Sequence, residues 1–332
     1  MTQIVYIASP ESKQIYSWQL LANGSLTLLQ IINTDTQVQP MVISPKKDFL
    51  YAGGRPNFCV LSYRIMKNGT LILVDETPLP GSPTYISVDQ YRRYLFCSSY
   101  NNASISVSPI NSNGIPQLCN QIINGIDGCH SANIALNNQL LFVPALKQDC
   151  IYLFKFKSNG LLFPYKQIQL KTIKGSGPRH MSFHPNGRYA YSLNELNSSV
   201  DVWSINELNG LIKCIQNIDM MPKNFLNTIR WASDIHITPN GKFLYTCDRT
   251  SSILTMFSIN EDGASLTMKD FQFTEKQPRS FNIDHNGEYL LLAGQKSHRV
   301  KVYKIQEHGV LMELTSYHTG QGPIWVVIHQ LD

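Results

Sequence analysis

The 332-residue sequence predicts an all-β fold, a seven-bladed β-propeller with four antiparallel strands per blade. Three observations carry that prediction. A glycine turn recurs at Gly24, Gly69, Gly114, Gly160, Gly210, Gly263 and Gly309, with successive gaps of 45, 45, 46, 50, 53 and 46 residues. A hydrophobic pair, aromatic at its second position in six of seven copies, marks one strand of each repeat: Val5-Tyr6, Leu50-Tyr51, Leu95-Phe96, Leu141-Phe142, Ala190-Tyr191, Leu244-Tyr245 and Leu290-Leu291. The two ends of the chain are complementary, because residues 322–329 read as a first strand with nothing after it, while the N-terminus begins at a second strand.

Taken in order, the elements fit one blade plan. Asn precedes five of the turn glycines, with Asp262 and His308 before the others. Asn-Gly and Asp-Gly supply the positive φ that a tight hairpin needs. Turns such as His184-Pro185-Asn186-Gly187 and Thr238-Pro239-Asn240-Gly241 precede several marker pairs. The clearest repeat reads PRHMSFH, RYAYSLN, SVDVWSIN and LIKCIQNI, four segments rich in β-branched or aromatic residues and none with a helical period. The N-terminus continues from Val5-Tyr6 through 14–20 and 25–32. One blade is therefore expected to combine the C-terminal inner strand with three N-terminal strands, which hides edges that an open ring would expose. The repeat runs end to end, so residues 1–332 are expected to form one domain.

Composition narrows the function. Hydrophobic residues make up 43% of the chain, and 28 basic against 23 acidic side chains give a net charge of +5. That balance does not describe a nucleic-acid surface, and it slightly favours a small anionic ligand. No stretch approaches the ~18 apolar residues of a membrane span. The start lacks a basic-then-apolar leader. Seven cysteines without a CxxC pair suit a reducing, cytoplasmic compartment, with the thiols acting as small core groups. The Asn-x-Ser/Thr triplets at Asn23, Asn68, Asn102 and Asn197 then serve as turns. HExxH, GxxxxGK and GxSxG are all missing, so neither a metal, a nucleotide cofactor nor a serine nucleophile is expected.

In a propeller the inner strand starts, and the second strand ends, on the same face. Counting back from each marker gives a ring of Gln39, Thr84, His130, Arg179, Ser233, Arg279 and Ile324. The next position gives Pro40, Tyr85, Ser131, His180, Asp234, Ser280 and Trp325, and the ends of the second strands give Pro10, Arg55, Tyr100, Leu146, Glu195, Arg249 and Gln295. The expectation is one polar concavity holding His130, Arg179, His180, Glu195, Asp234, Arg249 and Arg279, the usual form of a small-molecule site. The alternative for each is an ordinary rim ion pair, Arg179 bridging Glu195 within its own blade. The long connection 218–231 enters an inner strand on that face, as a lid supplying Arg230 or Trp231 or as a packed loop.

The segments GSPTYIS, DGCHSAN, VPALKQD, GPRHMSFHPNGRYAY, NELNSSVDVW, SDIHITPNG, QPRSFN and GQGPIWVV, spread over six of the seven repeats, resemble the bacterial seven-bladed-propeller 6-phosphogluconolactonase family, whose wider family includes the fungal carboxymuconate lactonising enzyme. The resemblance implies hydrolysis of 6-phospho-D-glucono-1,5-lactone in the oxidative pentose phosphate pathway, in the cytosol and without a cofactor. By motif it carries the family's histidine, arginines and glutamate onto His130, Arg179, Glu195 and Arg279. In that scheme Glu195 or His130 is the base. Glu195 is favoured, with His130 protonating the leaving ring oxygen, Arg179 stabilising the oxyanion and Arg279 holding the phosphate. Lys147, Arg55, Arg249, His180 and Asp234 are further substrate-binding candidates. A monomer or weak homo-oligomer acting on a small phosphosugar lactone, with no nucleic-acid or membrane partner, completes the expectation. The alternatives keep the fold: a muconate-type cycloisomerase, or a protein-interaction propeller, which lacks its repeated Gly-His and Trp-Asp signature here.

Overall fold

A computed structural model describes residues 2–206, 208–223 and 229–331. Among them the chain forms seven four-stranded antiparallel sheets arranged as the blades of a propeller. In chain order, blades two to seven occupy residues 37–78, 85–124, 133–171, 178–219, 232–273 and 278–318. Blade one joins Gln3–Ser9, Gln14–Leu20 and Leu26–Asn33 to Trp325–Gln330, in the order inferred from the two chain ends. Its closing pair runs antiparallel from Gln3↔Gln330 to Ala8↔Trp325. The described residues contain only two short 3₁₀ turns, Pro10–Ser12 and Leu146–Gln148.

The two repeated sequence features turn out to be one device. The marker tyrosine of one blade donates to the carbonyl of the turn glycine of the next: Tyr6 to Gly69 (2.9 Å), Tyr51 to Gly114 (2.6 Å), Tyr191 to Gly263 (2.7 Å) and Tyr245 to Gly309 (2.6 Å). These rings are fully buried between blades, so each hydroxyl needs a partner, and the turn carbonyl supplies it. Blade seven has Leu291 at the marker, and Tyr289 Oη donates to Ala22 O (2.7 Å) instead. The glycine is required for two reasons at Gly309: its φ is +80°, and a Cβ would lie 2.5 Å from Met256 and 2.6 Å from the Phe243 ring.

A second set of bonds ties the outer strands. Gln30, Gln121, Gln167 and Gln216 each exchange two hydrogen bonds with the backbone of the next blade, at Leu71, Leu162, Ile212 and Leu266. The glycosylation-like triplets at Asn23, Asn68 and Asn197 are turns, as expected, each Asn Oδ1 taking the backbone N–H two residues on. Five cysteines are buried, but Cys214 is exposed and Cys119 half-buried, because both lie in the outer part of their blades. For those two the expectation of a core role fails.

The inner strands carry the feature that builds the hub. In blades five, six and seven the pairing with the second strand slips by one residue, so Arg179, Ser233 and Arg279 are each the extra residue of a β-bulge. A bulge bends the strand and re-aims its side chains, here at the channel mouth.

Candidate active site

The hub holds a cavity of about 230 Å³, walled by thirteen residues from all seven blades. Six of the seven members of the first ring line it: Gln39, Thr84, His130, Arg179, Arg279 and Ile324. The seventh, Ser233, is buried behind them. The ends of the second strands add Arg55, Tyr100, Glu195 and Arg249, and Trp231, Asn101 and Trp325 complete the wall. The wall thus carries four arginines and a single carboxylate.

Glu195 is clamped. Its Oε2 accepts from Arg179 Nε (2.8 Å) and pairs with Arg249 Nη2 (2.8 Å), and its Oε1 accepts from Trp231 Nε1 (3.2 Å). Burial pushes its pKa up, but the two arginines and their hydrogen bonds win and hold it below the usual carboxylate range. It is therefore an ionised group of reduced basicity. Arg249 lies 3.8 Å over the Trp231 ring and donates to Ala232 O (2.9 Å). Arg179 Nη1 donates to Ser233 O, which leaves Nη2 without a protein partner among the described residues.

Arg279 makes no hydrogen bond or ion pair among the described residues. Burial and nearby Arg179 pull its guanidinium down to about 10, and the same two causes bring Arg249 to about 9. Both stay charged at neutral pH, and the direction of the shifts marks a crowd of desolvated cations that an anion would relieve. Arg279 and Arg55 also form the wall between the main cavity and a side alcove of about 180 Å³ lined by Gln37, Gln39, Gln295 and Glu11. Arg55 is held by Pro83 O (3.0 Å, through Nε) and Thr84 Oγ1 (3.3 Å).

His130 packs edge-on against Tyr100 (5.9 Å between centroids) and His180 (5.1 Å). Burial first, then Arg179, His180, Arg279 and Arg249, drive its pKa well below the usual histidine value, so the ring is neutral. Its Nδ1 is buried with no hydrogen-bond partner, and no protein group at that atom pins the tautomer.

The structure separates two expected members from this group. His180 and Asp234 sit one residue further along their strands, about 3.3 Å deeper in the channel. Below them lies a second cavity, of about 240 Å³, and both residues line it instead of the first. Tyr85, His180 and Trp325 divide the two cavities, their rings meeting edge to face at 5.4, 5.5 and 6.0 Å. Lys147 is exposed at the mouth, its Nζ 4.7 Å over the Tyr100 ring that lines the cavity. Arg179 does bridge Glu195 within blade five, so the ion pair and the cavity wall are the same residues. Of the expected lid, residues 224–228 lie outside the described residues; Trp231 reaches the cavity, while Arg230 turns away to pair with Asp219 (2.8 Å). Asn101 went unnoticed in the sequence, although it directly follows the ring position Tyr100.

Fold and hub together define a propeller with a cationic central pocket built around one neutral imidazole. Residues 4–328 match the family model described as lactonase, 7-bladed beta-propeller, and the chain belongs to that family. It is 56% identical over 333 residues to a 6-phosphogluconolactonase of Erwinia tasmaniensis, covering 100% of both chains. It is 53% identical to another of that name from Klebsiella pneumoniae, covering 99% of each. A periplasmic gluconolactonase of Pseudomonas aeruginosa has the same fold, with a TM-score of 0.92 at 23% identity and all of both chains covered.

Proposed function

We infer that this enzyme hydrolyses 6-phospho-D-glucono-1,5-lactone to 6-phosphogluconate, with His130 as the general base. Close relatives of that name over the full length support the reaction. The observation that carries the mechanism is the contrast between the two candidate bases. Every Glu195 oxygen is occupied by cationic or N–H donors, whereas His130 is neutral and lines the cavity, and no hydrogen bond among the described residues engages its Nε2, the ring nitrogen left to meet water because Nδ1 is buried. The role first favoured for Glu195 therefore passes to His130, and Glu195 orients Arg179 and Arg249.

His130 takes a proton from water as its oxygen attacks C1. The negative charge on the former carbonyl oxygen is met by the free Nη2 of Arg179 and by Arg249. Collapse breaks the C1–O5 bond, and the imidazolium returns its proton to the departing ring oxygen. The carboxylic acid formed ionises and releases one proton to solvent. The phosphate binds Arg279 and Arg55 at the alcove, where a planar guanidinium gives two parallel hydrogen bonds. Arg279 is one of the cations that lower the His130 pKa. A bound phosphate dianion offsets that charge and raises the basicity of His130, so the substrate strengthens its own base. The seven free cysteines and a charged sugar phosphate as substrate support a cytoplasmic enzyme. Among the described residues, no helix is long and apolar enough to cross a membrane. A single domain over 1–332, acting as a monomer or weak homo-oligomer, completes the reading.

Acid release from freshly made 6-phosphogluconolactone, corrected for spontaneous opening, tests it. His130→Ala is expected to lose about 100-fold or more in turnover. Turnover within a few-fold of the parent enzyme would remove His130 from the base role.

A further inference from the structure

Directly beneath the arginines, side chains tie the inner strands of successive blades into a belt. Ser131 Oγ donates to Arg179 O (2.8 Å), Ser233 Oγ donates to Pro278 O (2.7 Å), and Val326 N donates to Ser280 Oγ (3.3 Å). One member of the belt is a carboxylate. Asp234 Oδ1 accepts from His180 Nδ1 (2.8 Å) and from Ile235 N (3.1 Å). Its Oδ2 accepts from Phe281 N (3.1 Å) and lies 3.3 Å from His236 Nε2. Asp234, on blade six, is thus joined to blade five one residue past Arg179 and to blade seven two residues past Arg279.

Arg179 completes the connection. Its Nη1 lies 3.2 Å from His180 Nδ1 and 3.1 Å from His180 Nε2, so the guanidinium rests on the imidazole instead of following one lone pair. Two near-equal distances require the ring to be held in one plane, and the Asp234 bond at Nδ1 is what holds it. The ring must also be neutral to carry a cation this close; burial, followed by Arg179, brings His180 down to about 4. Neither residue lines the upper cavity, and neither can touch a lactone there.

We propose that Asp234 and His180 are positioning residues for the hydrolysis: the carboxylate fixes the His180 ring, the ring supports Arg179, and Arg179 is thereby aimed at the lactone carbonyl. This rests on the assignment of Arg179 to the carbonyl given above. Removing the support costs turnover and leaves the phosphate end intact. A small misalignment of a charge-stabilising group lowers turnover by about 10- to 100-fold.

The test is a double-mutant cycle through Arg179, with kcat, KM and thermal midpoint measured for every member. Asp234→Asn cannot satisfy both backbone N–H groups, so His180→Phe, which keeps a ring but no bond to Asp234, is run beside it. Each is expected to lower kcat about 10- to 100-fold with KM within about threefold. In an Arg179→Ala background, each is expected to add less than about threefold, because the residue they act through is gone. The same fold-loss in that background, or full kcat with only a lowered thermal midpoint, would overturn the proposal. If Arg179→Ala alone keeps full turnover, the assignment of Arg179 fails first, and the cycle separates that outcome from the other.

Discussion

Arg279→Gln tests the phosphate end of the site proposed above. The side chain is desolvated, bonded to no described residue, and shared by the main cavity and the alcove, so its loss breaks no ion pair and leaves no protein partner stranded. On that proposal, what disappears is a charge-assisted, two-pronged contact to an anion, worth about 1.5–3 kcal/mol. At 1.4 kcal/mol per decade this is a loss of roughly 10- to 150-fold in kcat/KM for the phosphorylated lactone. Glucono-1,5-lactone, which has no phosphate, should lose only a few-fold. The assay is proton release from both lactones in weak buffer at pH 6.5, where spontaneous opening is slow enough to subtract. Most of the change is expected in KM, since phosphate binding is made in ground and transition states alike. An equal loss on both substrates would place Arg279 at the carbonyl, and no loss on either would leave the alcove without a role.

Two further expectations concern charge. Glu195→Gln puts an amide N–H against an arginine and leaves Arg179 and Arg249 without their shared anion, so both stability and turnover should fall; breaking a buried pair costs about 3–5 kcal/mol. Unfolding midpoints and kcat report this together, and a variant with a normal midpoint would mean that the arginines do not depend on the clamp. His130 and His180 are held neutral in the fold, with pKa values below their unfolded value of about 6.5. Below that pH the unfolded chain binds more protons, so stability is fully present above pH 6.5 and is lost as the pH falls toward the folded value of about 4 for His180. The two sites together give a slope of up to about 2.7 kcal/mol per pH unit. Calorimetry between pH 7.5 and 5 should show a falling midpoint and a shallower slope for His180→Phe, and an unchanged slope in that variant would contradict the buried neutral ring.

Much of the hub was legible because a propeller turns a sequence period into a circle. Counting from the marker pairs brought His130, Arg179, Glu195, Arg249 and Arg279 to one place although they span 150 residues. The same count failed one residue later. His180 and Asp234 follow ring positions directly, but with bulges at Arg179 and Ser233 and the three-ring partition they line the cavity below the first one. Nothing in the local sequence announces a one-residue bulge. The role of Glu195 was hidden for another reason: its second arginine and its tryptophan come from the neighbouring blade, 54 and 36 residues away, and only side-chain direction shows that both oxygens are occupied. The outer glutamine bonds were invisible because any polar residue looks natural on an exposed strand.

The strand Trp325–Gln330 follows the other six blades in chain order, and it closes the wheel by pairing with Gln3–Ser9. Ile324 and Trp325 also furnish part of the pocket wall. A chain lacking this segment carries every charged group of the hub and still has no finished chamber to arrange them. A finished chamber therefore depends on one pairing between strands more than 300 residues apart, and does not accumulate blade by blade.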